Sequence, residues 1–244
     1  MKKAVFLYDF TGLMAQPWLD DGYECWIFDG QHAPGITREG NLVRVGMWFY
    51  PKGLEYQAAT IKSMVGDGVE MVFGFPECTF LTVAANKWMS HPEDKHLPAD
   101  LRRPNPRYPD RKKSRDEAVE LAKLVEAVGC AFGCKWGLEN PISVLSTLWR
   151  KPDFRFDPCD YAGHLPESDS HPVYPEIYPG RDRYNKNTCI WMGGEAVMPE
   201  KKRIEPISKD NPGWKKCGGK SLRTKNIRSA TPRGFAKAWK DANS

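Results

Sequence analysis

Short apolar runs, separated by polar and proline-rich stretches, set out the skeleton of this chain. Ala4 to Asp9, Glu24 to Asp29 and Val69 to Phe75 each predict a buried strand, because aliphatic and aromatic residues run together between turn residues. Leu42 to Phe49 predicts a further strand, and Trp136-Gly137-Leu138-Glu139-Asn140-Pro141 predicts a strand end. Ala118, Leu121, Ala122, Val125 and Val128 recur at helical spacing. With Ser114 and Glu117 as a capping box and Gly129 as a stop, they predict a helix over roughly 115–128. A short helix is expected near Ala15 to Asp21, with Pro17 tolerated in its first turn, and a last one over Gly234 to Ala242. Strands alternating with helices predict a mostly parallel α/β sheet flanked by helices, in a single domain over 1–244. Three polar loops interrupt it, near 90–113, 152–187 and 199–228.

Composition narrows the picture. The apolar fraction of 41% argues against disorder throughout, and no run approaches membrane-spanning length. Met1 to Tyr8 carries two lysines and a short apolar run that stops at Asp9, which reads as a strand and not a signal peptide. Seven scattered cysteines do not form a disulfide framework, so a reducing cytoplasm is the expected setting. A net charge of +5 permits a nucleic-acid partner without demanding one. The stretch 199–228 holds ten Lys or Arg against three acidic residues. Its Lys215, Lys216, Lys220, Arg223, Lys225 and Arg228, with Trp214, suit a loop that tracks phosphates.

Chemistry gathers at the strand ends. Cys78 leaves the strand 69–75 on a Phe75-Pro76-Glu77-Cys78 turn, where a thiol is placed to act as a nucleophile. Glu139 is offered in the same manner, among Trp136, Leu138 and Ile142, where desolvation favours the protonated form. Glu77, beside the thiol, disfavours its thiolate or serves another proton transfer. Tyr8-Asp9-Phe10-Thr11-Gly12, with Asp29 closing the next strand, forms a nucleoside-cofactor pattern. The glycine allows close ligand approach, and the acid accepts hydrogen bonds from ribose hydroxyls. Cys130 and Cys134 lack a second pair, His164 and His171 accompany Asp160 and Asp169 in a loop, and His91 and His96 read as surface residues. No metal site is expected.

In this order the segments resemble the C5-cytosine DNA methyltransferase family, particularly its small phage-type members. The resemblance implies a Rossmann-like methyltransferase fold and S-adenosylmethionine as cofactor. It implies a cofactor site of Asp9, Phe10, Thr11, Gly12, Leu13, Asp29, Gly30, Pro76, Ser229 and Ala230. It makes Cys78 the nucleophile and Glu139 the acid that engages the cytosine ring. Asn140, Pro141, Lys220, Arg223 and Lys225 are expected to hold the substrate, which is DNA of either strandedness or a cytosine nucleotide. Lys186 and Thr188 stand where the family carries an Arg-x-Arg pair, and Met14 where it often has a second glycine. The short stretch between Gly193 and Arg228 leaves no room for a separate target-recognition domain, so targeting is expected to be weak or to come from a partner protein. Hydroxymethylation, deamination and catalytically silent nucleic-acid binding are the alternatives.

Overall fold

The apolar runs pair into one sheet built from β1 (Lys3–Leu7), β2 (Glu24–Glu39), β3 (Leu42–Gly46), β4 (Val69–Gly74), β5 (Lys135–Pro141), β6 (Phe154–Phe156) and β7 (Thr188–Gly193). The computed structural model describes residues 1–219 and 221–244. The strand order is β3-β2-β1-β4-β5-β7-β6. β1 runs parallel to β2 and β4, and β4 parallel to β5, whereas β7 is antiparallel to both β5 and β6. The expected α/β class with a mostly parallel, helix-flanked sheet is therefore present.

Alternation along the strands sends side chains to two cores. Val5, Leu7, Phe28, Val72 and Leu138 face helices α2 (Leu54–Val65) and α3 (Arg111–Phe132), packing on Ile61, Ala122, Val125 and Val128. Ala4, Phe6, Ile27, Met71 and Phe73 face α1 (Gln16–Asp20) and the last helix, Arg233–Asn243, through Trp18, Phe235 and Trp239. Burying each of these large side chains contributes about 1.5–3 kcal/mol. Gly137 makes the second core possible: a Cβ there would lie 2.6 Å from Phe73 and 2.8 Å from Trp239.

Several boundaries differ from the sequence reading, each for a physical reason. The helix expected at 115–128 starts at Arg111 after Asp110 and runs to Phe132, so Ser114 and Glu117 lie inside it instead of capping it. Gly129 does not end that helix; it admits Trp136, whose Cβ would lie 2.6 Å from an added methyl group. The stop is Gly133, in the left-handed conformation at φ 65°. β2 does not end at Asp29. Its first half pairs parallel with β3, then the chain turns back so that Ile36, Thr37, Arg38 and Glu39 oppose Val45, Arg44, Val43 and Leu42 in reverse order. β3 is thus flanked by β2 on both sides.

The expected polar loops are also more structured. Residues 90–113 contain two 3-10 turns, Pro92–His96 and Ala99–Leu101, and the start of α3. Residues 152–187 contain β6 and bury Phe156, Tyr161, Tyr178 and Tyr184. Residues 199–228 contain helices at Pro212–Lys216 and Leu222–Ser229. Let α4 denote Leu145–Leu148, α5 and α6 the two in the basic stretch, and α7 the closing helix Arg233–Asn243. Among the described residues no helix is long and apolar enough to cross a membrane.

Candidate active site

The candidate residues converge on the carboxyl edge of the parallel strands, where the chain leaves β1, β2, β4 and β5. In an open α/β sheet, that edge is where ligands bind, at the point where successive connections diverge. Here the divergence falls between β1 and β4.

Leaving β1, the backbone adopts left-handed conformations at Tyr8 (φ 59°) and Gly12 (φ 69°). Such a conformation strains a side-chain-bearing residue, and Tyr8 is fixed in it by donating its hydroxyl to Leu121 O at 2.7 Å. The turn folds around Asp9, whose Oδ1 accepts from Gly12 N at 2.8 Å and from Thr11 Oγ1 at 3.3 Å. Asp9 is buried and its Oδ2 has no partner. Burial pushes its carboxyl up to about 6, and the charge of Asp29 adds to the rise. Asp29 is half-buried and accepts from Gln31 N at 2.8 Å; burial raises its carboxyl too. Phe10 stacks on His32 at 5.5 Å, with His32 Nε2 3.2 Å from Asp9 O. Leu13 is buried against Ile227 and Ala230, the latter in the expected cofactor wall, while Ser229 Oγ donates back to Asn226 O.

Leaving β4, the turn through Pro76 is tied to β5 by Asn140, whose Nδ2 donates to Pro76 O at 2.9 Å. Pro141 pairs with Thr188 at the start of β7. Cys78 is half-buried at the head of a turn in which its carbonyl accepts from Leu81 N and Thr82 N. Burial is the main influence on its thiol and pushes its pKa up. The positive charge of Lys186 opposes that rise, while Glu139 and then Glu77 reinforce it. Glu139 is buried, with its Oε1 3.5 Å from Lys186 Nζ and lacking a hydrogen bond. The thiol, the acid and the lysine thus share one electrostatic neighbourhood. Thr188 is fully buried and spends its hydroxyl on Lys186 O at 2.6 Å, so it acts on the lysine's backbone and not on a ligand.

Glu77 points outward. It accepts from Thr79 Oγ1 at 2.7 Å and pairs with Lys225 Nζ at 3.1 Å. Asn226 Nδ2 donates to Gln31 Oε1 at 3.0 Å, so α6 spans from the β4 turn to the β2 turn. The expected phosphate-tracking loop is therefore an organised strap. Lys215 pairs with Asp210, Arg223 with Glu176, and Lys216 donates to the carbonyls of Glu176 and Ile177. Lys220 lies outside the described residues.

Sequence reasoning missed three contributors. Trp48, exposed, lays its ring on Gly30 so closely that a Cβ there would meet it at 2.2 Å. His32 and the Gln31–Asn226 contact were equally unmarked, because none sits in a recognisable motif. In the 152–187 segment, His171, Asp160 and Asp169 are structural. His171 is buried against Tyr178, accepts from Val173 N and Tyr174 N, and is pushed down to about 4 by burial and Arg233. Asp160 is held by Lys201 and Arg203, and Asp169 by Arg233. Among the described residues no group of three or more His, Cys, Asp or Glu is placed to hold a metal ion.

No protein-family model matches this chain, and no curated protein matches it.

Proposed function

We propose that this protein is a cytosine C5-methyltransferase acting on DNA with S-adenosylmethionine as methyl donor. The observation that carries the reading is the Asn140–Pro76 hydrogen bond, which joins the end of β5 to the Cys78 turn and sets thiol, Glu139 and Lys186 together.

The β1–β2 side suits the cofactor. Asp9 keeps a buried oxygen without a partner, and neither Asp9 nor Asp29 has a lysine or arginine at ion-pair distance among the described residues. Two uncompensated carboxylates fit a ligand bearing positive charge. Asp29 would hold the ribose hydroxyls, and the turn Asp9–Leu13, Gly30, Pro76 and the Ser229–Ala230 segment would wall it. When bound, S-adenosylmethionine supplies a methyl group on a positively charged sulfur.

On the β4–β5 side, the Cys78 thiolate adds to C6 of cytosine and the C5–C6 π bond opens. Glu139 gives a proton to N3, taking up the charge that the new C–S bond sends into the ring. C5 is thereby electron-rich and able to accept a methyl group. Water then takes the C5 proton, N3 returns its proton to the Glu139 carboxylate, and the re-formed C5–C6 double bond expels the Cys78 thiolate. Lys186 favours the thiolate throughout. The base must be unpaired or flipped to reach this edge.

The test is incubation with labelled S-adenosylmethionine and cytosine-containing oligonucleotides, followed by mass analysis of the base. Label at C5 and a cysteine adduct on 5-fluorocytosine, lost in Cys78→Ser, are the expected results. No label on single-stranded, duplex or nucleotide substrates removes the reading, and a hydroxymethylated or deaminated base redirects it.

A further inference from the structure

Residues 102–115, which follow the three 3-10 segments after the Cys78 turn, hold seven Lys or Arg against one carboxylate, Asp110. Three of the seven are occupied: Arg103 with Asp94 at 2.7 Å, Arg102 with the carbonyls of Leu97 and Lys95, and Lys113 with Glu117 at 3.9 Å. Arg107, Arg111, Lys112 and Arg115 make no ion pair among the described residues. The fold lays two of them, Arg107 and Arg111, on aromatic rings instead. The Arg111 guanidinium lies 5.3 Å from the Phe80 ring centre and 5.5 Å from that of Tyr108, with Arg107 5.5 Å from the same Tyr108 ring. Tyr108 meets Trp88 edge-on at 5.7 Å, and Lys87 stands over Trp88 at 5.2 Å.

This ladder is tethered to the nucleophile turn, since Arg115 Nε donates to Phe80 O at 3.0 Å, two residues beyond Cys78. Arg111 Nε and Arg115 Nη2 are buried with no acceptor. Burial, and then the like charge of Arg111, weigh against the Arg115 cation. Planar guanidiniums without carboxylates, set side by side on aromatic faces, are equipped for phosphate oxygens, and the exposed Trp88 ring beside them suits a stacked base.

We propose that Arg107, Arg111, Lys112 and Arg115 bind the phosphodiester backbone of the strand whose cytosine enters the Cys78 site. The identity of that strand rests on the function proposed above. The basic stretch 199–228 contributes less, because its described cations near the site are spent on Asp210, Glu176, Glu77 and backbone carbonyls.

The experiment measures binding of a short cytosine-containing single-stranded oligodeoxynucleotide by fluorescence anisotropy across a salt series, with thermal melts confirming folding. Removing three phosphate contacts in Arg107→Gln/Arg111→Gln/Lys112→Gln should weaken low-salt binding about tenfold or more and reduce the slope of log K against log salt by about 2. Arg111→Lys should keep the slope and lose only affinity. Lys215→Gln/Arg223→Gln should leave both nearly unchanged. An unchanged slope in the triple variant overturns the proposal, as does a larger loss in the Lys215/Arg223 pair. Full competition by free cytidine monophosphate overturns it too, because recognition would then need no polynucleotide. Methyl transfer is assayed separately: transfer with an unchanged slope sinks this face and spares the activity, whereas the expected slope loss without transfer supports the face and sinks the activity.

Discussion

The two sides of the sheet's carboxyl edge are built on opposite electrostatic plans. Around β1 and β2, burial raises the proton affinity of Asp9 and Asp29, the charge of Asp29 adds to the rise at Asp9, and neither has a lysine or arginine at ion-pair distance among the described residues. Around β4, β5 and β7, a thiol and a carboxyl share Lys186. The first side is short of positive charge and suits a cationic ligand. The second carries its own cation and suits chemistry that creates an anion on sulfur. A sheet that exposes several strand ends side by side can thus hold two incompatible environments one strand apart.

Removing Lys186 should break the second plan most severely. Lys186→Met strands Glu139 in a buried position, and stability should fall by about 3 kcal/mol in chemical denaturation, as when a buried pair loses one member. The same variant should slow alkylation of Cys78 by iodoacetamide at any given pH, followed by peptide mass mapping, since the thiolate loses its attracting charge. Unaltered alkylation would separate the lysine from the thiol.

The first plan is tested through pH. The Asp9 carboxyl binds its proton more tightly folded, near 6, than unfolded, near 3.8. The folded state therefore holds more protons in that window, and Asp9 stabilises the fold progressively as pH falls from about 6 to 4. Asp9→Asn removes this, so the stability difference between wild type and variant should change by about 2 kcal/mol between pH 7 and pH 4, in favour of the wild type at the acid end. Urea titrations at the two values check it, and a difference independent of pH would mean that Asp9 is ionised throughout. The smallest effect is expected from Asp29→Asn, which should weaken S-adenosylmethionine binding by about tenfold, the worth of one charge-assisted hydrogen bond, as read by calorimetry.

Much of this edge was legible in the sequence, because β1, β4 and β5 are short uninterrupted apolar runs that end in residues with chemistry. What escaped has identifiable causes. Helix α2 was not anticipated: its buried face includes Gln57, whose amide is spent on Tyr50 and Lys52, while Tyr56 is exposed. A polar residue on the buried face and an aromatic one on the exposed face blur the apolar pattern carried by Ala58, Ile61 and Val65. Gly129 looked like a terminator because nothing in the sequence announces that Trp136 will need its space. The basic stretch 199–228 advertised itself by charge count, yet the fold neutralises much of it from distant positions such as Glu77, Asp160 and Glu176. Residues 102–113 were read as part of a polar loop, since the stacking of Arg111 on Phe80 joins segments 31 positions apart.

The doubling back of β2 along β3 also governs how the molecule presents its margins to other copies. β3 has both of its ladders satisfied, and the outermost backbone groups on that flank belong to Ile36–Glu39. There Arg38 reaches across to Glu24 and Arg44 pairs with Glu39, so a second chain laid alongside would have to displace two charge contacts. At the opposite flank β6 is only three residues long. Short or charged borders discourage strand-to-strand stacking between molecules, and this sheet ends in one of each.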